Sequence, residues 1–515
     1  MKKPPFPSAI RSIVAACFVA LWAVPASVGH AQLPALGDGA ALSTGAERQI
    51  GERIAREICA DPDYLEDPVL DDYVRGIWTP LLGAARRLGE LPAELDERFA
   101  WQILLVRDRA INAFALPGGY LGLNLGLIGA VASRDELASV LAHELSHVTQ
   151  RHIARMLDRQ NQQTPLLLGA MILGAIAASK NPDAANAVLV GGQALAAQQQ
   201  LSFSRDMERE ADRVGFGVMT AAGFSPPAFV SMFEKLQQAS RLNDDGSYPY
   251  LRSHPLTTER IAEMRARDPD DPQPPPALTP AHAMAAARAR VLASPGVDAL
   301  RVWAREPERA DFAQQPLAQQ AGALYAAALA QQRLGDAAAA RRTAQWLAER
   351  VAGGDAQARR QARLLQAQLA LAAGDAAAAA ALLTPANATP GEALPRPERL
   401  LRAEADTARG DAAGAIDLLQ PWLSDHPRDA RAWQLLATAA RAQGQGLRAL
   451  RAEGEARVAV LDYAGALDRF RAGQTLAAQG LRTPAEQIEA AIIDSRARQV
   501  QAQLREQLAN AKEKP

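Results

Sequence analysis

The 515-residue chain reads as mainly α-helical and in two parts: helices around a small β-sheet, then an α-helical repeat array. Three observations predict this. Helical periodicity dominates, and only the region from Phe99 to Ile128 offers short strand-like apolar runs. Beyond Pro280 the chain turns alanine- and arginine-rich, with glycines at 335, 374, 410 and 444 that recur 39, 36 and 34 residues apart. Between the halves, DPDDPQPPPALTP is too dense in proline to continue a helix or a sheet and reads as a stiff linker.

Composition sets the outer bounds. Hydrophobic residues at 48% and charged residues at 22% fit a globular protein, and 515 residues exceed what one core usually organises. A net charge of −1 gives no basic surplus, so nucleic acid is not an expected partner. At the N-terminus, Lys2, Lys3 and Arg11 precede an apolar run from Ile13 to Val28. Gly29-His30-Ala31 then places small residues at −3 and −1 before Gln32. That layout is a secretory signal peptide over residues 1–31. Its removal takes three of the 56 basic groups and none of the 57 acidic ones, leaving a net charge of −4. Cys59 is then the sole cysteine, so packing rather than an internal disulfide holds the fold.

In chain order, residues 47–86 read as helices and FAWQILLV, Phe99 to Val106, as a strand. Ile111 to Ile128 reads as a hairpin, with Leu116-Pro117-Gly118-Gly119 as a type II turn. Ser133-Arg134-Asp135-Glu136 forms a capping box and starts a helix whose buried side carries Leu137, Val140, Leu141 and Val148. Ser204 can cap a second helix running to Gly223. LLLGAMILGAIAAS, residues 166–179, is apolar but too short to cross a bilayer. It can be a lid, rest peripherally on a membrane, or be an ordinary buried helix. In the second half each recurrent glycine reads as a turn between two helices. LDYAGALDRF looks like a degenerate further turn, and a last helix from Ala485 to Leu508 can cap the array.

The chemistry centres on LAHELSHVTQRH. On a helix His143 and His147 face the same way one turn apart, a spacing that can share a metal ion. Glu144 is rotated by roughly 100° and can take a proton from water beside that ion. His152, nine residues after His143, falls nearly opposite on a continuous helix and is excluded as a ligand. A catalytic zinc ion takes three protein ligands and one open position. The third candidate lies in SFSRDMEREADRVGFG, where Glu208 and Asp212 stand at i and i+4. One can bind the metal while the other holds a histidine ligand's ring N–H, and Glu210 points away.

His143-Glu144-Leu-Ser-His147 followed by Glu208-Arg-Glu-Ala-Asp212 resembles the HtpX-like and CAAX-prenyl-protease-like zinc metallopeptidases. With INAFALPGGY and SHPLTTERIAEM, the chain is most similar to periplasmic beta-barrel assembly-enhancing proteases. Those join such a domain to tetratricopeptide repeats, which the 34–39-residue glycine period also resembles. The resemblance implies one zinc ion per chain held by His143, His147 and Glu208, with Glu144 as general base and Asp212 behind a ligand. It implies a signal peptide (1–31), a zinc metallopeptidase domain (32–268), a linker (269–280) and a tetratricopeptide-like domain (281–515). The expected function is periplasmic proteolysis in protein quality control, with the repeats recruiting protein substrates and meeting the outer-membrane protein assembly machinery. Two other readings stay open: a chaperone-like or scaffold protein with a silent or structural zinc site, and a non-proteolytic zinc hydrolase.

One histidine remains in this half. His254, in RSHPLTTER, lies in a loop held by Pro255, and Thr257 can cap the helix that follows. It can donate to the oxyanion of a tetrahedral intermediate, fill zinc's fourth position and keep the enzyme off, or be an ordinary satisfied loop histidine. Of the two functional roles the second is favoured, because a flexible loop suits a switch better than a preorganised donor.

Overall fold

A computed structural model describes residues 42–159, 204–242, 249–267, 276–293, 296–384 and 394–512. The segment 1–31 read as a signal peptide, the apolar segment 166–179 and most of the proline-rich segment lie outside the described residues. Among those described, no helix is long and apolar enough to cross a membrane.

The first half begins with α1 (Thr44–Ala60), capped by the Ser43 hydroxyl, and α2 (Pro68–Leu88), capped by Asp67 and closed by Gly89 at φ 74°. A three-stranded sheet follows: β1 (Gln102–Val106), β2 (Ala113–Leu116) and β3 (Tyr120–Asn124). β3 is central, parallel to β1 and antiparallel to β2. The β2–β3 turn has Gly118 at φ 72° and ψ 21°, the left-handed value a type II turn requires. A Cβ on Gly118 would stand 2.6 Å from Arg48 Cα, so this glycine also seats the turn on α1.

The hairpin is shorter than its apolar run. Pairing stops at Asn124, and Leu125–Ala130 forms a short helix, α3. A short apolar run satisfies strand and helix equally, and burial of Leu125, Leu127 and Ile128 decides for the helix.

α4 (Arg134–Thr149) is the central helix. The Ser133 hydroxyl accepts from Glu136 N at 3.1 Å, and Glu136 Oε2 accepts from Ala132 N at 2.6 Å, one residue before the usual capping-box partner. From Glu136 to Thr149 every residue is buried, not one side alone. The chain then turns at Arg151, whose φ is 51°, into α5 (His152–Arg159). α6 (Arg205–Ala221) packs on α4, capped by Ser204 and followed by Gly223 at φ 85°. A Cβ on Gly215 would stand 3.1 Å from the Ala142 and His143 backbone, so a larger residue there would push α6 away. α7 (Pro227–Leu242) and α8 (Thr258–Arg267) complete this half.

α9 (Pro280–Ala293) opens the second half, and it belongs to two cores. Ala285, Ala289 and Ala293 join the first-half core, where α9 packs on α2 and α3, while Met284, Ala287 and Val291 pack with Leu324 and Leu347. His282 bonds to Tyr73 Oη at 2.6 Å and to Val131 O at 3.0 Å. Arg288 is buried, forks onto both Asp67 oxygens at 2.8 and 2.6 Å, and reaches Tyr325 Oη and Gln368 Oε1. Small alanines let α9 approach closely on two sides, and the halves share packed apolar surface.

Helix pairs follow: Leu317–Arg333 with Ala337–Val351, Ala356–Ala372 with Ala376–Leu383, Arg396–Ala408 with Ala412–Asp425, and Ala430–Ala442 with Gly446–Ala459. Gly335, Gly374, Gly410 and Gly444 all have positive φ, and Asp336, Asp375 and Asp411 each cap the helix that follows. A similar turn comes half a period later, before Tyr463–Ala477, with Leu461 at φ 64° and Asp462 as cap. Leu461 packs against the cluster of Ile54, Ile58 and Tyr120, a contact that offsets its backbone cost. Pro484–Lys512 ends the described chain.

Asp67 both caps α2 and neutralises Arg288. Asp67→Ala leaves a guanidinium buried beside its remaining neutral partners and is expected to lower the unfolding free energy by about 3–5 kcal/mol. Urea denaturation checks this; an unchanged midpoint would show that the pair does not tie the halves together.

Candidate metal centre

Three elements deliver the site. α4 presents His143 and His147 on one face, with their Nε2 atoms 3.0 Å apart. α6, drawn close at Gly215, presents Glu208 and Asp212 to them. His254 ends the short helix Tyr250–Ser253, its N–H bonded to Tyr250 O at 2.9 Å and its ring stacked on Tyr250 at 4.6 Å between centroids. One donor atom each from His143, His147, Glu208 and His254 lies within 4.8 Å of the others, and all four residues are buried. His254 Nδ1 is 3.0 Å from Glu208 Oε1 and 3.3 Å from His143 Nε2.

The two carboxylates left open by helical spacing take different places. Glu208 faces the imidazole cluster, 3.5 Å from both His143 Nε2 and His147 Nε2. Asp212 lies behind it, with Oδ1 3.0 Å from His143 Nδ1. Both are gathered by Arg260 on α8. Its Nε and Nη2 fork onto Asp212 at 2.7 and 2.8 Å, and its Nη1 stands 2.8 Å from Glu208 Oε2. Thr257 Oγ1 accepts from Arg260 N at 3.3 Å, the cap expected to fix this loop. Arg260 was not singled out by spacing. The available signal was a charged residue beside Ile261 and Met264, both of which are buried.

His152 departs from its expected position. On a continuous helix it would point away, but the break at Arg151 returns it to the site, where its Nδ1 lies 2.8 Å from His147 Nδ1. It stands behind a cluster histidine and is not a member of the donor set. Its Nε2 lies 3.0 Å from Glu210 Oε2, which Arg155 also approaches at 2.7 Å. Glu210 thus faces outward from the cluster, as its place on the helix suggests.

Glu144 is fully buried beside the donor set. Its Oε2 accepts from Ala115 N on β2 at 2.9 Å, and its Oε1 lies 3.4 Å from His254 Nε2. Burial pushes its carboxyl pKa up, against the opposing pull of His254 and His143. For Glu208 burial also acts upward, but His254 and His143 outweigh it and hold the carboxyl well below its usual range. The bond from His152, helped by Arg155, brings Glu210 down to about 2.

The donor set fits a divalent metal. Imidazole and carboxylate without thiolate suit zinc, and Glu144 Oε1 is buried with no hydrogen-bond partner of its own. Lone pairs converging at 3.0–3.5 Å in a dry core are costly unless a cation or protons separate them.

Comparison with known proteins agrees with the geometry. Residues 85–268, which include every side chain of this centre, match the model of peptidase family M48. The chain is 34% identical to the putative beta-barrel assembly-enhancing protease of Vibrio cholerae, over 57% of this chain and 59% of that protein. It is also 34% identical to the beta-barrel assembly-enhancing protease of Escherichia coli, over 46% of this chain and 47% of that one. The mitochondrial metalloendopeptidase OMA1 of Saccharomyces cerevisiae is 29% identical over 37% of this chain and 54% of its own length. The chain thus spans about half the length of the curated relatives it matches.

Arg260→Lys keeps one charge but loses the planar fork that holds both carboxylates. Zinc affinity is expected to fall roughly 10–100-fold, as for other groups that orient metal ligands. Chelator competition measures it, and an unchanged affinity would remove Arg260 from the centre's support.

Proposed function

We propose that this chain, through its peptidase family M48 domain, is a zinc-dependent endopeptidase of the periplasm acting in quality control of envelope proteins. Outer-membrane β-barrel proteins are the proposed clients, and the repeat half recruits them and meets the assembly machinery. The observation that carries the reading is the buried convergence of His143, His147, Glu208 and His254 beside Glu144. The relatives' printed name, beta-barrel assembly-enhancing protease, supports the client class. The basic-then-apolar start of the chain supports export through a cleavable signal peptide.

His143, His147 and Glu208 would hold the metal in this reading, and a bound zinc ion would supply Lewis acidity. Glu144, with its carboxyl pKa raised by burial, takes the proton of the attacking water and returns it to the leaving amine. Ala115 N–H holds one Glu144 oxygen in place and leaves the other toward the cluster. β2 is an edge strand whose outer side faces Glu144, so an extended substrate can pair along it. The nearby glycines are not needed for that approach. Gly118 is packed on Arg48, and Gly122 lies beneath the Phe114 ring. Asp212 Oδ1, 3.0 Å from His143 Nδ1, orients that ring so that its other nitrogen faces the metal site in this reading.

His254 belongs, in this reading, to the resting state. Its Nδ1 stands among the donors and its Nε2 faces the base, so with a metal bound it would compete with water for the site until the 254–257 loop moved.

Two outcomes test this. Glu144→Gln retains the acceptor for Ala115 N but loses the base. Casein hydrolysis should fall by about 10²–10⁴-fold with zinc still bound, and equal cleavage by variant and wild type would end the protease reading. His254→Ala should raise turnover of an unstructured peptide; lowered turnover would assign His254 to oxyanion stabilisation instead.

A further inference from the structure

His147 presents one ring nitrogen to the donor cluster, and the other must be satisfied inside the core. That second nitrogen, Nδ1, lies 2.8 Å from Nδ1 of His152, itself fully buried. His152 Nε2 lies 3.0 Å from Glu210 Oε2, and the same oxygen accepts from Arg155 Nη1 at 2.7 Å. We propose that His152 is a positioning residue for the metal centre: ordered by Glu210, it holds His147 in the tautomer whose Nε2 lone pair faces the metal. This rests on the reading that His147 is a metal ligand.

With both rings neutral, the proton inventory allows one arrangement. Glu210, paired with a guanidinium, is a carboxylate and can only accept, so His152 Nε2 carries the hydrogen. A neutral imidazole has one N–H, which leaves a lone pair on His152 Nδ1. His147 Nδ1 must then donate to it, and the lone pair of His147 falls on Nε2. That atom is the one 3.0 Å from His143 Nε2 and 3.5 Å from Glu208 Oε1. The opposite tautomers would aim an N–H into the donor cluster and set two lone pairs, His152 Nε2 and Glu210, against each other.

The two cluster histidines are therefore oriented by different devices. Asp212 acts on His143 directly, whereas Glu210 acts on His147 through an intervening ring. The second device needs the chain break. Arg151 adopts φ 51°, and its guanidinium is held by Glu47 on α1 at 2.8 Å and by Leu42 O. That anchor turns His152 back under α4, whereas a continuous helix would carry it away.

Zinc affinity of the full-length chain, measured by chelator competition, tests the proposal with two substitutions that separate hydrogen bonding from packing. His152→Phe fills the space without a ring nitrogen, and affinity should fall roughly 10–100-fold. His152→Asn is smaller but offers an amide oxygen near the place of Nδ1, and it should retain most of the affinity. A purely packing role reverses that order, and either the reverse order or equal losses overturn the proposal. Should neither variant fold, the ¹⁵N-histidine spectrum of the zinc-loaded wild type decides. It must show His147 protonated at Nδ1 and His152 at Nε2, and His152 protonated at Nδ1 overturns the proposal. Wild-type protein that takes up no zinc would instead overturn the metal-centre reading, and this proposal with it.

Discussion

A set of imidazoles and carboxylates is buried against one central helix, and most of the first half is arranged to make that tolerable. His143, His147, Glu144, Glu208, Asp212 and His254 are each 2% exposed or less. Buried polar groups require partners, and buried charges require counter-charges. Inward-facing donor atoms can be satisfied together by a cation, so the local structure has to satisfy their outer ends. Arg260 gathers two carboxylates, Ala115 N–H takes one Glu144 oxygen, and the His152–Glu210–Arg155 chain backs His147. Elsewhere local features serve the same end. Ser133, Ser204 and Thr257 cap the helices that carry these side chains, and Gly215 sets how near α6 comes to α4.

The first half is also joined to the second by packing. α4 is buried on all sides, and α9 enters the same apolar core through its contacts with α2 and α3. Arg288 on that helix reaches back to the cap of α2 and forward to Tyr325 and Gln368. Arg360 with Asp72, and Arg396 with Asp71, repeat the pattern further along the array. Leu461 adds an apolar contact to the α1 core at the cost of a left-handed backbone. The helical second half is therefore packed against the first rather than loosely tethered to it.

The readable features of the chain were those whose physics is local. Capping residues, glycines at helix ends and the i, i+4 placement of His143 and His147 depend only on neighbours in the chain. So do the starts of α4 and α6, which the described residues show where Ser133 and Ser204 placed them. The recurrent Gly-Asp step marked the helix pairs for the same reason, since a left-handed residue followed by a cap is a short-range event. The hairpin's end at Asn124 was not readable, because LGLI satisfies both periods and only its burial selects helix.

By itself the sequence determined the chemistry available: two histidines one helical turn apart, a glutamate beside them, and a carboxylate pair on a second capped helix. Helical geometry makes those relations independent of the rest of the fold. Only the tertiary structure decided that Glu208 faces the cluster while Asp212 stands behind it, that His254 enters the donor set, and that Arg260 binds the carboxylates together. It also returned His152, which looked misplaced, to a position behind His147. The reason is physical: these relations cross chain breaks and helix–helix contacts. Periodicity holds only while a helix continues, and it ends at Arg151.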